Sequence, residues 1–374
     1  MNIDRVQIKN FKSLKNIDIS LNNLTLITGV NSSGKSSFIQ TLLLLKENED
    51  RLTFFGQFAR ENTLTINGQY IKLGNKKDIL YEESYKENIQ ISLFNKTNIL
   101  IDVLFNNQNL KIDKKTNIPF VSDGNICLTC NLFAHDFQYI TTNRITPKIA
   151  YQLSDDMINK NLIGFKGEYT AHYLAENRHK RLNIDALKHN KSKTYQLLEN
   201  VSLWLGEISN GIEISATVYS ELQQVNLTYS YTYGENTTDK YTPLNVGFGI
   251  TFILPVIVAI LKSKPNDLLI IENPESHLHP AGQSKIAELC AIASANGVQI
   301  IIETHSDHFL NGIRVATKKG LLTPEQSKVY YFRKEKDELE TKVDEINIDK
   351  NGKIDNWTEG FFDEYSKQLD ELLW

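Results

Sequence analysis

Hydrophobic and polar positions near the N-terminus follow a pattern of strands and then a helix. Residues Ile3–Phe11 and Ile17–Leu21 predict two short strands, and Leu24–Thr28 predicts a third, more apolar one. A glycine-containing turn follows, and the next apolar run predicts a helix through Phe38–Lys46. A strand, a glycine turn and a helix in this order are typical of the opening of a nucleotide-binding α/β unit.

The pattern changes between about residues 52 and 241, where short alternating runs dominate. These runs predict strands at Leu64–Ile66, Ile89–Leu93, Ile99–Phe105 and Val225–Tyr233. Helical stretches interrupt them near His172–Ala175 and Thr194–Ile208. We therefore interpret residues 52–241 as a strand-rich and helical lobe, inserted between the two halves of the α/β unit.

The apolar α/β pattern returns in residues 242–374. Helices are predicted at Phe252–Lys262 and Ala281–Ala295, buried strands at Asp267–Ile271 and Val298–Glu303, and closing strands at Lys328–Phe332 and Lys342–Ile348. The predicted fold class is α/β, with a head formed by residues 1–51 and 242–374.

Composition excludes several classes of protein. The net charge is −4, so binding to nucleic acid or to an anionic membrane would need a local basic patch. Ile250–Leu261 and Leu268–Ile271 are the longest apolar stretches and are too short to cross a bilayer, and the N-terminus resembles no secretion signal. Cys127 and Cys130 form a lone CxxC pair, which favours reduced thiols over a zinc site. We expect a cytoplasmic protein with no membrane partner.

A phosphate-binding motif lies in the first glycine turn. Residues 29–36 read GVNSSGKS and fit the P-loop pattern GxxxxGK[ST] between a strand and a helix. In this motif the lysine, Lys35, reaches the β- and γ-phosphates, and the Ser36 hydroxyl is a Mg²⁺ ligand. We therefore predict that the chain binds ATP and Mg²⁺. The predicted nucleotide-binding residues of this loop are Gly29, Asn31, Ser32, Ser33, Gly34, Lys35, Ser36 and Ser37.

An acidic residue ends the apolar run at residues 268–271. The sequence LLIIENPE places Glu272 at the C-terminal edge of a buried strand, where ligands of open α/β sheets gather. A P-loop needs such a carboxylate to complete its Mg²⁺ site, so Glu272 is the predicted acidic metal residue.

With these motifs the chain resembles the ABC-type ATPases of the SMC, RecF and OLD (overcoming lysogenization defect) group. The opening IKNFKS of residues 8–13, the P-loop, the run ENPESHLHP at 272–280 and ETHS at 303–306 carry this resemblance. The chain is most similar to a family of stand-alone bacterial AAA-type ATPases with a C-terminal domain of unknown function. NVGFG at 245–249, GFKGEY at 164–169 and WTEGFFD at 357–363 carry that likeness.

The resemblance implies further roles. Gly247 and Gly249 fall at the signature loop, which contacts the γ-phosphate bound by the opposite subunit, so an ATP-dependent head-to-tail homodimer is implied. Without the flanking motifs, the run VGFG at 246–249 would be interpreted as a tight turn. His305 falls at the position of the switch histidine that senses the γ-phosphate.

Two positions depart from the ABC pattern. Glu272 stands where aspartate is usual, and Asn273 stands where the catalytic glutamate is usual. Because asparagine cannot accept a proton from water, Glu275 and Glu303 are the candidate general bases. General-base catalysis contributes roughly 10²–10⁴ in rate, so we expect slow hydrolysis.

Features of some relatives are missing from the sequence. There are no sustained heptads of a coiled coil, and about seventy residues after His305 are too few for a Toprim nuclease domain. We therefore expect no nuclease activity. A basic segment at 178–193 is a candidate contact for nucleic acid, although a solvated loop and helix face is the alternative reading.

The sequence predicts an ATP-driven switch that controls an effector protein encoded nearby or a nucleic acid, and the resemblance suggests bacterial anti-phage defence. A RecF-like ATPase acting on DNA directly and a non-hydrolysing ATP-binding scaffold are the alternatives.

Overall fold

The chain forms two compact units in a computed structural model. The model describes residues 1–53, 63–82, 88–106, 110–117, 130–358 and 360–373. The first unit contains Met1–Ala134, Lys328–Asn347 and Asn356–Trp374, and the second contains His135–Ser327 and Ile348–Asp355. The limits of these units differ from those of the predicted lobe, which runs from residue 52 to residue 241. The division into a head and an inserted lobe stays a prediction.

The described strands are mostly short and follow the apolar runs of the sequence. They are β1 (Arg5–Phe11), β2 (Leu14–Ser20), β3 (Leu24–Gly29), β4 (Ile89–Asn95), β5 (Asn98–Phe105), β6 (Ile112–Asn117), β7 (Gln138–Ile140), β8 (Tyr151–Gln152), β9 (Ile212–Tyr219), β10 (Gln224–Tyr233), β11 (Asn236–Thr237), β12 (Leu268–Glu272), β13 (Gln299–Glu303), β14 (Ser327–Arg333) and β15 (Lys342–Ile346).

The described α-helices range from one turn to four. They are α1 (Lys35–Glu47), α2 (Glu49–Thr53), α3 (Asp155–Asn159), α4 (Thr170–Asn177), α5 (Leu197–Gly206), α6 (Phe248–Leu261), α7 (Pro280–Ala295), α8 (Asp307–Lys318) and α9 (Glu364–Leu373). None of the helices in the described ranges combines the length and the apolar character that a bilayer span requires.

An antiparallel sheet with the order β2-β1-β4-β5-β6 forms part of the first unit. Ile8 lies at its centre, opposite Ile17 on one side and Ile91 on the other, and all three side chains are buried. The alternation of buried and more exposed residues along β1 explains this arrangement, because one face of a strand repeats every second residue. The strands predicted at residues 3–11, 17–21, 89–93 and 99–105 are confirmed.

The same unit contains the strand that leads into the P-loop. Strand β3 is buried along residues 24–28, and β14 lies between β3 and β15. Helix α1 follows the loop and buries Phe38, whose ring meets that of Phe332 edge-on with centroids 6.1 Å apart. An aromatic pair of this kind fixes the helix against the sheet.

Three parallel strands lie next to one another in the second unit. Strand β12 pairs with β7 on one side and with β13 on the other, and Glu272 is in register with Glu303. Helix α6 is buried from Ile250 to Leu261, as its uniformly apolar sequence requires. Strand β10 pairs with β8, β9 and β11 in a separate sheet.

One predicted strand is wrong. Residues Leu64–Ile66 form no strand. Leu64 and Ile66 make single backbone hydrogen bonds to Leu110 and Leu73, and the backbone of Thr65 between them is held by the side chain of Asn48. The Asn48 amide nitrogen donates to the Thr65 carbonyl at 2.9 Å, and its oxygen accepts from the Thr65 N–H group at 2.7 Å. A side chain thus satisfies the polar groups that a neighbouring strand would otherwise satisfy. Of the CxxC pair, Cys127 lies outside the described residues, and Cys130 is a buried free thiol.

Candidate nucleotide-binding site

Close packing shapes the P-loop of the first unit at both of its glycines. Gly29 has φ 143° and Gly34 has φ 106°, both in the region that favours glycine. A Cβ on Gly29 would lie 2.0 Å from the Phe332 carbonyl oxygen, and one on Gly34 would lie 2.4 Å from Thr341 Oγ1. Glycine is therefore required at both ends of the loop.

The loop conformation is held from outside the motif. The Thr341 hydroxyl lies 2.8 Å from the Ser33 carbonyl oxygen and 2.8 Å from Ser13 Oγ. Thr341 itself is buried. Sequence reasoning missed Thr341 as part of the site, because it lies more than 300 residues from the loop and belongs to no motif.

The side chains of the loop suit a phosphate ligand. Lys35 Nζ donates to the Gly29 and Val30 carbonyl oxygens at 2.9 and 2.7 Å, so the ammonium group folds over the loop. Asn31 and Ser36 are exposed, whereas Ser33 Oγ is buried and has no hydrogen-bond partner among the described residues. The first N–H groups of a helix lack acceptors within that helix, and α1 begins at Lys35, within this loop motif. The residues present fit a nucleotide phosphate.

The carboxylate of Glu272 in the second unit is held by hydroxyl groups that precede it in the sequence. Its Oε1 accepts from the Tyr139 hydroxyl at 3.0 Å, and its Oε2 accepts from the Thr142 N–H group at 3.1 Å. The Thr142 hydroxyl lies 3.0 Å from the same oxygen and 3.1 Å from Asn273 Oδ1. Burial and the charge of Glu272 raise the pKa of Tyr139, which keeps its phenol protonated as a donor.

The candidate bases lie close to this acid. The Asn273 N–H group donates to the Glu303 carbonyl at 2.7 Å, and Asn273 adopts φ 45°, a conformation that asparagine tolerates better than most residues. Glu275 is 8% exposed, and its Oε1 accepts from the His305 N–H group at 2.8 Å. Burial raises the pKa of Glu275, against the opposing effect of that N–H group. The structure therefore brings together the four predicted residues Glu272, Glu275, Glu303 and His305.

The predicted signature loop opens helix α6 in the same unit. A Cβ on Gly247 would meet no atom within 4 Å, whereas one on Gly249 would lie 2.4 Å from the His277 carbonyl oxygen. Phe248 is 40% exposed and stacks on Phe252 with centroids 5.4 Å apart. The start of α6 is thus anchored to the loop that follows β12, and its first residues remain open to solvent.

Among the described residues, the candidate ligands of a metal ion are single side chains rather than a cluster. No cluster of three or more His, Cys, Asp or Glu side chains that could hold a metal ion occurs in the described ranges. Mg²⁺ at a nucleotide is usually held by one or two protein groups, phosphate oxygens and water. The Ser36 hydroxyl and the Glu272 carboxylate are of the required chemical type, and their assignment stays a prediction.

Comparisons with known families identify the family of this chain. A family model described as AAA ATPase domain matches residues 1–205, more than half of the sequence. The chain belongs to the AAA ATPase domain family. A second AAA domain family, whose description also names the AbiEii toxin of type IV toxin–antitoxin systems, matches residues 136–311. Residues 322–372 of this ATPase match a protein family of unknown function, DUF3696. A search of curated proteins gives no significant match.

Solved structures similar to this ATPase are heads of SMC proteins. One is an SMC head bound to the C-terminal winged-helix domain of ScpA, with a TM-score of 0.54 and 12% identity over 93% of this chain and 99% of that one. Another is the SMC head with an extended coiled coil from Pyrococcus furiosus, with a TM-score of 0.50 and 11% identity over 100% of both chains. The predicted α/β fold is thereby confirmed, as a fold similar to that of an SMC head.

Proposed function

We propose that this ATPase-domain protein is a switch in which two copies close head to tail around ATP. The observation that carries the proposal is the start of α6, where Gly247 is open to solvent and Phe248 is 40% exposed. The sequence contains one P-loop motif and one VGFG run. An anion bound by the P-loop of one copy could then be contacted by the helix start of the other, whose N–H groups favour negative charge.

The chemistry follows from the side chains in each unit. Lys35 would neutralise the β- and γ-phosphates, and the Ser36 hydroxyl and the Glu272 carboxylate would hold Mg²⁺, which polarises the transferred phosphoryl group. His305 would sense the γ-phosphate. Glu275 or Glu303 would polarise the attacking water in place of Asn273, and slow hydrolysis keeps the closed state long-lived.

The experiment that tests this proposal is ATP hydrolysis measured over a range of protein concentrations. If a second copy completes the site, activity per chain rises with protein concentration and then reaches a plateau. Lys35→Ala, which removes the phosphate-binding cation, is the inactive control. Activity per chain that is independent of concentration in a protein shown to be monomeric would contradict the proposal.

We place this switch in the bacterial cytoplasm, where it would control an effector protein encoded nearby in anti-phage defence. The family description that names a type IV toxin–antitoxin system supports this setting. Plaque counts with and without the gene and its neighbours test it. Protection that needs both an intact Lys35 and one neighbouring gene is the expected result, and equal plaque counts with and without the genes would contradict this setting.

A second candidate function is direct contact with nucleic acid, as a RecF-like ATPase would make. A cavity of about 500 Å³ in the second unit supports it. The polar and charged residues that line the cavity are Arg178, His179, Lys191, Lys193, Gln196, Glu199, Ser202 and Glu213. The oxygens of Glu199 accept hydrogen bonds from the Thr194 hydroxyl and from the Lys193 and Thr194 N–H groups, so that carboxylate is already satisfied.

Fluorescence anisotropy with labelled single- and double-stranded DNA tests this candidate. Lys193→Glu should weaken binding and reduce the salt dependence of the affinity, since each phosphate contact contributes about one unit to the slope. Lys350→Glu, an exposed lysine elsewhere in the same unit, is the matched control. Equal DNA affinity of the two variants would exclude the cavity. Tight ATP binding with no detectable hydrolysis, with or without DNA, would instead favour the non-hydrolysing scaffold.

A further inference from the structure

Arg144 is a buried arginine next to the C-terminal end of β12, where Glu272 lies. Its side chain is 2% exposed. Its Nη2 donates to the Asn273 carbonyl oxygen at 3.0 Å and also to the Glu272 carbonyl oxygen. These are the two peptide groups through which the chain leaves the strand. The guanidinium group therefore fixes the backbone that carries the Glu272 carboxylate.

The same guanidinium group lies over an aromatic ring of α6. Arg144 Cζ is 4.8 Å from the centroid of the Phe252 ring. Phe252 stacks on Phe248, and the His277 ring meets Phe248 and Phe252 edge-on, with centroids 4.8 and 4.9 Å apart. A continuous set of contacts thus runs from the end of β12 to the first two turns of α6.

Two features of Arg144 would lower the stability of the fold if the residue served packing alone. Its Nε and Nη1 atoms are buried and have no hydrogen-bond partner within the described residues, and the same holds for Oε2 of Glu275. Burial lowers the pKa of Arg144 to about 10, so it is still charged at neutral pH. Buried polar groups without partners are costly, and an apolar side chain would often serve packing better. A role beyond packing explains why an arginine occupies this position.

We propose that Arg144 is a positioning residue that ties the Glu272–Asn273 peptide to the start of α6, so that the two move as one piece. This inference rests on the proposed function. In a head-to-tail pair, Glu272 would serve the nucleotide of its own copy, while the start of α6 would contact the nucleotide of the other copy. Arg144 would then link the two nucleotides of the closed pair.

Arginine suits this role better than lysine. Through Nη2 alone the planar guanidinium group donates to both carbonyl oxygens, while its Cζ lies over the Phe252 ring. The ammonium group of a lysine keeps the charge and loses this combination. Arg144→Lys is therefore the informative variant, because it separates geometry from charge.

The first measurement compares the kinetics of Arg144→Lys with those of wild type. We expect kcat to fall by ~10- to 100-fold, as small misplacements at a reacting centre do, with nucleotide affinity unchanged because the P-loop is untouched. Arg314→Lys is the matched control, since Arg314 also donates to a backbone carbonyl, that of Gly352 at 2.8 Å, in the same unit. The control should keep the wild-type kcat.

The second measurement needs no hydrolysis. Amide hydrogen exchange reports local opening, so Arg144→Lys should speed exchange at residues 248–252 and 273–277 together. Exchange in α7 should remain at the wild-type rate, and Arg314→Lys should change neither segment. A general loss of structure would instead speed exchange throughout the unit.

The two measurements separate this inference from the proposed function. Lower kcat with faster exchange in both segments supports the role of Arg144. If wild type does not hydrolyse ATP, the proposed hydrolysis fails, while faster exchange of Arg144→Lys than of wild type in both segments still supports the role. Exchange that is unchanged in either segment overturns the role, as does a wild-type kcat for Arg144→Lys in an active enzyme.

Discussion

Gly249 lies so close to His277 that a Cβ on the glycine would be 2.4 Å from the histidine carbonyl oxygen. This contact joins the start of α6 to the loop that follows β12. Gly247, two residues earlier, has no atom within 4 Å of its own Cβ position. The two glycines of the predicted signature loop therefore have different physical requirements.

Gly249→Ala should destabilise the second unit, whereas Gly247→Ala should not. The added methyl group at residue 249 forces the loop at His277 to move, and overpacking of this kind typically costs about 1–3 kcal/mol. Thermal unfolding of the two variants measures the difference. Equal unfolding midpoints for both variants would show that the contact is unimportant for stability.

Lys35→Ala should abolish ATP binding. Lys35 Nζ now contacts the Gly29 and Val30 carbonyl oxygens and is the cation of the loop that can turn to a phosphate. Titration with trinitrophenyl-ATP measures the affinity, and Lys9→Ala, on an exposed position of β1, is the control. Wild-type affinity in Lys35→Ala would disprove the assignment of the P-loop.

Glu275→Gln should spare ATP binding and lower hydrolysis by roughly 10²–10⁴ if Glu275 is the general base. The amide oxygen of glutamine can still accept from the His305 N–H group, so this variant removes the charge and retains that contact. Glu272→Gln should instead weaken Mg²⁺-dependent binding. Initial rates and Mg²⁺ titrations separate the two effects.

If Glu275→Gln hydrolyses ATP at the wild-type rate, Glu275 only positions His305 and is not the general base. Glu303, which is in register with Glu272 on the neighbouring strand, would then be the candidate general base. Glu303→Gln is the next variant in that case.

The stability of the second unit should rise from pH 7.5 to pH 9.5 through Lys262. Burial lowers the pKa of Lys262 to about 8, and its Nζ donates to the Asn161 carbonyl at 2.8 Å. At pH values between this pKa and the ordinary lysine pKa, the unfolded chain binds more protons than the folded one. Stability therefore increases with pH in this window, by at most about 3 kcal/mol.

Lys262→Met isolates this effect, because other groups that titrate in the window are common to both proteins. The urea midpoint of wild type should improve relative to that of the variant between the two pH values. A difference between the midpoints that does not change with pH would contradict the assignment.

Local sequence patterns predicted the parts of the site that local forces build. The P-loop could be recognised from Gly29, Gly34 and the start of α1 at Lys35, all within ten residues. The positions of Glu272 and Glu303 were predicted because each acid ends a local apolar run of strand type. Such features need only a strand, a turn and a helix to be recognised.

The supporting residues could not be predicted in the same way. Tyr139, Thr142 and Arg144 contact the end of β12 only because β7 pairs with it across 130 residues of chain, and polar residues after a short strand carry no local signal. Thr341 reaches the P-loop through a similar long-range contact. The wrong prediction at Leu64–Ile66 has the same origin, since the side chain of Asn48 bonds the backbone of Thr65 at the centre of that run.

Self-association with a non-hydrolysable ATP analogue and Mg²⁺, compared with ADP by sedimentation velocity, tests the central claim most directly. Nucleotide held between two copies shares its binding energy with dimerisation, so the analogue should tighten association of wild type. Gly247→Asp should weaken this response by at least ~10-fold, because its carboxylate would face a phosphate. Gly247→Ala should respond as wild type, and both variants should retain nucleotide affinity. Association that is equal in the analogue and in ADP, or a wild-type response of Gly247→Asp, would contradict the account.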